Sequence, residues 1–197
     1  MFDSPRILRV FFATSNIHKY NEINAIFKQH TSIQLKFLQT SLLEIQSSNL
    51  EEIAIFSLKN CSKRLKNNPI FVEDSGLFIK KLNGFPGPYS AYIFKTIGLY
   101  GILGLMREIK DREAYFQSTI ALKIEDEIKI FTERVKGKIL EDVRSDTGWG
   151  YDPIFIPESN GILTFGDLGL KKNVISHRFL ATLKMIRFLN NHFILVE

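Results

Sequence analysis

The sequence predicts an α/β fold in a single domain, and one observation supports each part of this prediction. Sheet-like and helix-like hydrophobic patterns alternate along the chain. The chain has 197 residues and is 45% hydrophobic, which is enough to build a substantial core in one domain. The sequence has no internal repeat, low-complexity tract or flexible linker, so a single domain is expected.

The first elements are predicted from local patterns. A continuous apolar run over 7–13 predicts a buried strand. Asn16 is a favoured N-cap residue, and the helical pattern after it predicts a helix over 17–29. A strand over 33–38 and a helix over 50–65 follow. This order of strand, helix, strand and helix is typical of α/β proteins.

A short apolar strand over 70–72 runs directly into Glu73, Asp74, Ser75 and Gly76. Strand ends are where ligand crevices usually lie in open sheets. Two adjacent carboxylates that leave a buried strand point in different directions, so one can bind a hard cation while the other packs elsewhere. The alternative is a plain turn, in which Asp74 accepts local backbone N–H groups.

The rest of the chain continues the alternation. A segment rich in Gly and Pro over 84–88 predicts a turn, and a helix is predicted over 97–109. Two long segments, 114–125 and 127–135, are predicted to form an antiparallel pair with a tight charged turn, and this pair could form a lobe of its own. The last predicted elements are a loop feeding a short strand over 148–157 and an amphipathic helix over 178–193.

Composition limits the compartment and the partners. The single cysteine, Cys61, excludes an intrachain disulfide and a zinc site built from cysteines, which favours a reducing cytoplasm. No targeting segment or membrane-spanning run is evident, so no membrane association is expected. The net charge of +5 and the pI near 9.2 permit nucleic-acid binding, but the basic residues are dispersed, so no stable nucleic-acid partner is expected.

Basic residues crowd two predicted helix starts: His18 and Lys19 at the first helix, and Lys171, Lys172, His177 and Arg178 near the last. A helix N-terminus already carries positive potential, so each exposed cation there costs roughly 0.3–1 kcal/mol. An anionic ligand would remove this cost, and two such sites indicate a polyanion. The alternative is that Asn16 and Ser176 are ordinary N-caps and that the cations reach solvent.

Familiar nucleotide and hydrolase motifs are missing. The sequence has no Walker A motif, no strand-linked G-x-G-x-x-G, no metalloprotease motif and no G-x-S-x-G elbow. A phosphate site would therefore be assembled from the two helix starts and the acidic strand end. An acidic pair combined with separate cations is the arrangement expected when a metal and basic groups share a phosphate chain.

The sequence resembles the Ham1-like family of inosine triphosphate pyrophosphatases, also described as XTP/dITP pyrophosphatases. The resemblance rests on short blocks that occur in order over essentially the whole chain: Ala13-Thr14-Ser15-Asn16 with Lys19; Glu44-Ile45-Gln46; Val72-Glu73-Asp74-Ser75-Gly76-Leu77; Gly84-Phe85-Pro86-Gly87 with Tyr89-Ser90; Gly148-Trp149-Gly150-Tyr151-Asp152-Pro153; Lys172-Asn173; and Ser176-His177-Arg178. Each block is short, but their number, order and spacing make a chance match improbable.

The resemblance implies a fold, an activity and an assembly. The fold would be a long mixed β-sheet with flanking helices, divided into two lobes around a deep substrate cleft, with residues 1–197 forming one domain. The activity would be hydrolysis of ITP, dITP or XTP to the nucleoside monophosphate and pyrophosphate. Magnesium would be the cofactor, and the protein would be a cytoplasmic homodimer.

The resemblance also implies site residues. Asp74 would be catalytic, and Glu44 and Asp74 would bind Mg²⁺. The implied substrate-binding residues are Thr14, Ser15, Asn16, Lys19, Ser75, Gly76, Trp149, Gly150, Tyr151, Asp152, Lys172, His177 and Arg178. A carboxylate bound to magnesium is a poor base, so either Asp74 orients the attacking water through the metal or Glu73 takes part instead.

Base recognition would use aromatic faces and hydrogen-bond donors. Trp149 and Tyr151 would stack on a purine, and Asp152 would accept from the ring or the sugar. His177 and Arg178 would donate to the 6-oxo group of hypoxanthine or xanthine, whereas adenine presents an amino group and leaves both donors unpaired. The alternative is that the two aromatic residues belong to the core and that Asp152 is a turn residue.

Three positions depart from the family pattern. Ser57 stands where many members have a lysine that reaches phosphate, and Lys59 lies roughly 200° further around the helix, so it is not a simple substitute. Trp149 replaces a commoner phenylalanine, and Lys171 stands where the neighbourhood is usually acidic. Two other functions remain open: a related pyrophosphatase acting on another modified nucleotide, and a basic nucleic-acid-binding module without catalysis.

Overall fold

The computed structural model of the protein describes residues 8–64 and 68–194. Its main helices and strands are β1 (Arg9–Thr14), α1 (Ile17–His30), β2 (Gln34–Gln39), α2 (Leu50–Cys61), β3 (Ile70–Ile79), β4 (Pro86–Gly87), α3 (Ser90–Leu105), β5 (Glu113–Ile124), β6 (Glu127–Ile139), β7 (Phe155–Pro157), α4 (Phe165–Leu168) and α5 (His177–Ile194). Strands and helices alternate through the first half of the chain, and the predicted α/β class is confirmed.

The described strands form one mixed seven-stranded sheet. Their order is β2-β1-β3-β5-β6-β7, with β4 paired to β3 off this path. The strands β2, β1 and β3 are parallel, whereas β3, β5, β6 and β7 are antiparallel to their neighbours. The long strand β3 joins the two halves of the sheet, because it pairs with β1 at its start and with β5 along its whole length.

Helices cover both faces of the sheet. On the first, here called the α5 face, α1 and α5 pack over Phe12, Phe71 and Ile120. Further along the same face, α3 and α4 pack over Leu77 and Phe116. On the opposite face, here called the α2 face, α2 packs over residues of β3 and β5: Ala54 and Leu58 contact Ile70, Val72 and Ala121.

The largest difference from the sequence prediction is the length of β3. The strand was expected to end at residue 72, but it continues to Ile79 and pairs with β5 throughout. The segment from Asp74 to Gly76 is therefore a strand interior, and the turn alternative is wrong. Gly76 packs against the chain near β4, since an added Cβ would lie 2.2 Å from the carbonyl oxygen of Gly87.

Other element boundaries shift by smaller amounts. Helix α2 ends at Cys61 and is followed by a 3₁₀ turn over Ser62–Arg64, while residue 65 of the predicted helix lies outside the described residues. Helix α3 begins at Ser90 rather than at residue 97, and it is kinked at Gly98, which has a φ of +63°. Residue 7 of the first predicted strand also lies outside the described residues. None of the helices over residues 8–64 and 68–194 is long and apolar enough to cross a membrane.

Candidate active site

The acidic pair lies in the middle of β3, and its two side chains point to opposite faces of the sheet. Glu73 lies on the α5 face, where Ser118 of β5 donates a 2.6 Å hydrogen bond to its Oε1. Asp74 lies on the α2 face, opposite Thr119 in the register of β3 and β5. The alternation of side chains along a strand separates the two carboxylates. The prediction that they point in different directions is confirmed.

Glu73 is neutralised by cations from two helices. Lys19 Nζ lies 3.0 Å from its Oε2, and Arg178 Nε lies 3.2 Å from its Oε1. Lys19 also donates to the backbone carbonyl of Glu73 at 3.1 Å. Burial alone would raise the pKa of this carboxyl, but Arg178 and Lys19 hold it well below its usual range. Glu73 is therefore ionised and bound to protein donors, which makes it a poor base.

Asp74 has the opposite environment. Burial raises the pKa of Asp74 to about 6, and the negative charges of Glu73 and Glu44 add to the rise, while Lys19 opposes it. Its Oδ1 accepts the backbone N–H of Ser75 at 2.9 Å. An added cation would favour the ionised form of such a carboxyl, because nearby positive charge stabilises a carboxylate.

Asp74 and Glu44 are the two carboxylates that could hold a metal ion. Glu44 is exposed in the loop between β2 and α2, and its charge acts on Asp74. Mg²⁺ is commonly held by one or two carboxylates together with substrate phosphates. In the part of the chain that the structure describes, no three His, Cys, Asp or Glu residues form a closed metal cage.

Glu22 of α1 is a site residue that the sequence analysis does not identify. Its Oε1 accepts hydrogen bonds from Trp149 Nε1 at 2.9 Å and from Lys172 Nζ at 2.8 Å, and its Oε2 accepts one from Arg178. Lys172 also donates to Asp152 at 2.7 Å. Burial alone would raise the pKa of Glu22, but Arg178 and Lys172 lower it to about 2. Glu22 is thus the ionised centre of a buried polar network.

This network resolves the charge conflict at the helix starts. Arg178 is only 1% exposed, and each of its nitrogens contacts a protein oxygen. Its Nε contacts Glu73, Nη1 contacts Glu22, and Nη2 donates to Ser75 Oγ at 2.9 Å. Lys19 likewise contacts Glu73. Protein carboxylates supply counter-charges to Lys19, Lys172 and Arg178, so these cations alone are not evidence for a bound polyanion, and the polyanion stays a prediction.

The alternative is correct about the two N-caps but wrong about the cations, because Lys172 and Arg178 are buried and do not reach solvent. Asn16 Oδ1 accepts the backbone N–H groups of His18 at 2.9 Å and Lys19 at 3.3 Å. Ser176 Oγ accepts the N–H of Phe179 at 3.1 Å. These caps satisfy donors that an uncapped helix would offer to an anion.

The predicted phosphate-binding residues gather around the acidic pair. Thr14 ends β1, Ser15 and Asn16 connect it to α1, and Thr14 Oγ1 accepts the N–H of Asn16 at 3.1 Å. Thr14 is buried, whereas Ser15 is exposed. Ser75 accepts from Arg178, as described above. The structure thus brings the β1–α1 loop and the middle of β3 together, and the phosphate contacts of these residues stay predictions.

Trp149 lies at the edge of the buried network. Its ring stacks with His18 at a centroid distance of 5.6 Å. Lys172 Nζ and the guanidinium carbon of Arg178 each lie 5.3 Å from the centroid of the indole ring. Gly150, with a φ of +63°, turns the chain directly after it. A purine that stacks on this ring would lie beside the cations of the network.

Tyr151 and His177 are core residues in this structure. Tyr151 is 3% exposed, and its hydroxyl donates to the carbonyl of Ser90 at 3.0 Å, which supports the core alternative for this aromatic. His177 stacks on Phe116 at 4.7 Å between ring centroids. Burial and the charges of Arg178 and Lys172 hold the pKa of His177 well below its usual value. Its Nδ1 is buried and has no hydrogen-bond partner among the described residues.

Ser57 does not replace the lysine that is common at its position. It is buried in α2, and its hydroxyl donates to the carbonyl of Leu43 at 3.0 Å. Lys59 lies on an exposed part of the same helix. The α2 face therefore lacks a cation at position 57.

The Ham1 family model matches residues 10–188. The chain belongs to the Ham1 family. The match includes both acids of β3, Glu44 and the Glu22 network. The fold that the resemblance implied, a mixed sheet with flanking helices, is confirmed, whereas the deep cleft and the two lobes stay predictions.

Two relatives that match over more than nine-tenths of their own length are both named dITP/XTP pyrophosphatase. This Ham1 protein is 46% identical over 180 residues to the dITP/XTP pyrophosphatase of Korarchaeum cryptofilum, which covers 91% of the chain and 95% of that protein. It is 45% identical over 172 residues to the dITP/XTP pyrophosphatase of Thermococcus kodakarensis, covering 87% of the chain and 91% of that protein.

Solved structures of Ham1 proteins share the fold. The Ham1 protein of Staphylococcus aureus superimposes with a TM-score of 0.78 at 29% identity, covering 93% of this chain and 99% of that one. The Ham1 protein of Coxiella burnetii gives a TM-score of 0.79 at 28% identity with the same coverage.

Proposed function

We propose that the protein is a pyrophosphohydrolase that cleaves dITP, XTP and ITP to the nucleoside monophosphate and pyrophosphate, and so removes deaminated purine nucleotides. The observation that carries this proposal is the 46% identity, over 91% of the chain, to a dITP/XTP pyrophosphatase. The geometry of β3 agrees with it, because one acid is neutralised by protein cations while its neighbour is left available for chemistry.

Glu44 and Asp74 would hold Mg²⁺. When bound, the ion supplies charge neutralisation for the phosphates and lowers the pKa of a coordinated water. Asp74 is the acid whose surroundings favour a bound cation, since its pKa is raised to about 6 by burial and by nearby negative charge. The fit rests on these two carboxylates, whose charges interact.

The protein's own residues would position the two ends of the substrate. Lys19 lies next to the acidic pair and adds positive charge at the reacting phosphate. Trp149 would stack on the purine, and the unpartnered Nδ1 of His177 offers a buried polar contact for the base. Asp152 and Glu22 would fix Lys172 beside the indole ring, so the network would orient the base rather than bind the phosphates.

The direct test is pyrophosphate release from a panel of nucleotides. We expect magnesium-dependent release from dITP, XTP and ITP, at least about a hundredfold faster than from dATP or dGTP at equal concentration, because buried donors left unpaired by the wrong base cost rate. Omission of magnesium and addition of a chelator provide the control. Absence of release from every nucleotide, together with salt-dependent binding of oligonucleotides, would support the nucleic-acid-binding alternative instead.

We also propose a homodimer, located in the cytoplasm where nucleoside triphosphates are held. Helix α3 exposes several large apolar side chains, among them Tyr92, Ile97 and Tyr100, the last 78% exposed. Exposed apolar side chains of this size on one element are typical of an interface. Tyr100→Glu should therefore shift the mass measured by light scattering from dimer to monomer, whereas Lys184→Glu on α5 should not. A monomeric parent protein would contradict the proposal.

A further inference from the structure

Arg134 of β6 presents a fixed guanidinium on the α2 face of the sheet. Its Nε donates to Gln117 Oε1 at 2.6 Å, and its guanidinium carbon lies 4.8 Å from the centroid of the Tyr115 ring. Gln117 thus contacts one edge of the planar guanidinium, and Tyr115 contacts one of its faces. A guanidinium held in this way loses little further entropy when it binds an anion.

The charge of Arg134 is not neutralised by the protein. Over residues 8–64 and 68–194, no carboxylate lies within 4.0 Å of it, and its Nη1 and Nη2 make no hydrogen bond. This distinguishes it from Arg178, whose three nitrogens all contact protein oxygens. The two terminal nitrogens form a fork that suits phosphate oxygens.

A chain of side-chain hydrogen bonds connects Arg134 to helix α2. Gln117 is buried, and its amide nitrogen donates to Thr119 Oγ1 at 3.3 Å. Thr119 and Thr132 share a hydrogen bond of 3.1 Å, and Thr132 donates to Glu51 Oε1 at 3.0 Å. These side chains lie on one face and link the first turn of α2 to the arginine. A chain of this kind fixes the position of the Gln117 oxygen that orients Arg134.

Arg134 lies on the same face of the sheet as Asp74, two strands across and two residues further along. Asp74 is opposite Thr119, and Gly76 is opposite Gln117, which itself pairs with Arg134. Two residues along a strand (about 6.8 Å) and two strand spacings (about 9.6 Å) place the Cα atoms of Asp74 and Arg134 about 12 Å apart. The long arginine side chain and the triphosphate chain together can span this distance when the α-phosphate lies near Asp74.

We propose that Arg134 binds the terminal phosphates of the substrate and the departing pyrophosphate. It would supply, from β6, the cation that Ser57 does not supply from α2. This inference rests on the proposed function for its substrate, but the contact itself is with the diphosphate portion and can be measured without turnover. No bond to Arg134 forms or breaks, because its role is binding.

The test compares the affinities of the two products. Arg134→Gln should weaken binding of inorganic pyrophosphate about tenfold in calorimetry at fixed magnesium and ionic strength, since it removes a charged hydrogen-bond donor. Binding of inosine monophosphate should change by less than twofold, because the monophosphate lacks the phosphates that Arg134 contacts. Arg134→Lys should fall between the parent and Arg134→Gln, since lysine keeps the charge but not the fork.

The matched control is Arg187→Gln, which removes the same charge from an exposed position on α5. Equal, small losses of pyrophosphate affinity in Arg134→Gln and Arg187→Gln would show a long-range charge effect and overturn the inference. If the parent hydrolyses XTP and Arg134→Gln has the same KM for XTP as the parent, the inference is also overturned. The proposed function would stand in that case. Arg134-dependent pyrophosphate binding without any nucleotide hydrolysis would keep the inference and reject the proposed activity.

Discussion

Asp74→Asn should lower pyrophosphate release from XTP by about a thousandfold and, at the same time, stabilise the metal-free protein. The amide keeps the shape of the side chain but removes the charge that would hold Mg²⁺ and the oxygen that would accept a proton. Losses of 10²–10⁴-fold are usual when such a group is removed. The stability gain follows because Asp74 is a buried carboxylate near the charges of Glu73 and Glu44.

The pH dependence of this gain has a definite sign. The pKa of Asp74 rises from 3.8 to about 6 on folding, so the folded protein binds a proton more tightly than the unfolded chain. Stability contributed by this group is therefore present at low pH and lost as the pH rises through 6. The loss is at most about 3 kcal/mol at pH 8. Asp74→Asn should remove it, raising the melting temperature in chelator at pH 8 and much less near pH 4.

The control for Asp74→Asn is Asp126→Asn, at an exposed position in the turn between β5 and β6. That change should leave both release and melting temperature unaltered. If Asp74→Asn retained normal release, the chemistry would belong to Glu44 or Glu73. If it lost release but melted at a lower temperature at pH 8, Asp74 would be a structural acid and the charge argument would be wrong.

The order of strands and helices could be predicted from the sequence because it depends on local periodicity and caps. Asn16 is an example: its side chain caps α1 as its position before the helical pattern predicts. The length of β3 could not be predicted in this way, since Glu73 interrupts an apolar run. Its contacts with Lys19, Arg178 and Ser118 make the acid compatible with a buried strand.

Glu22 could not be identified from the sequence because its hydrogen-bond partners lie far away along the chain. Glu22 bonds to Trp149, Lys172 and Arg178, which follow it by 127, 150 and 156 residues. The sequence correctly indicates that cations at helix starts require negative charge nearby. It does not indicate whether a ligand or a protein carboxylate provides that charge, because the answer depends on which helices meet in the folded chain.

Glu73→Gln should destabilise the protein by about 3–5 kcal/mol at pH 7, because it removes one of the two carboxylates that contact Arg178 and leaves the buried network with one more cation than carboxylates. Arg178 is 1% exposed, so solvent cannot replace the lost partner. The measurement is urea unfolding followed by circular dichroism. The same change at Glu133 is the matched control, since this residue also lies in a central strand but pairs with the exposed Lys184, and surface pairs contribute about 1 kcal/mol or less.

The stability that the negative charge of Glu73 contributes should also depend on pH in the acid range. The pKa of Glu73 is well below its usual value of 4.5 in the folded protein, so its contribution to stability is complete above that pH and is lost as the pH falls below it. Glu73→Gln should therefore lose stability less steeply than the parent between pH 5 and pH 3. Adding Arg178→Met should recover part of the loss at pH 7, because both halves of the pair are then removed. Equal losses for Glu73→Gln and Glu133→Gln would mean that Glu73 is not the buried counter-charge of Arg178.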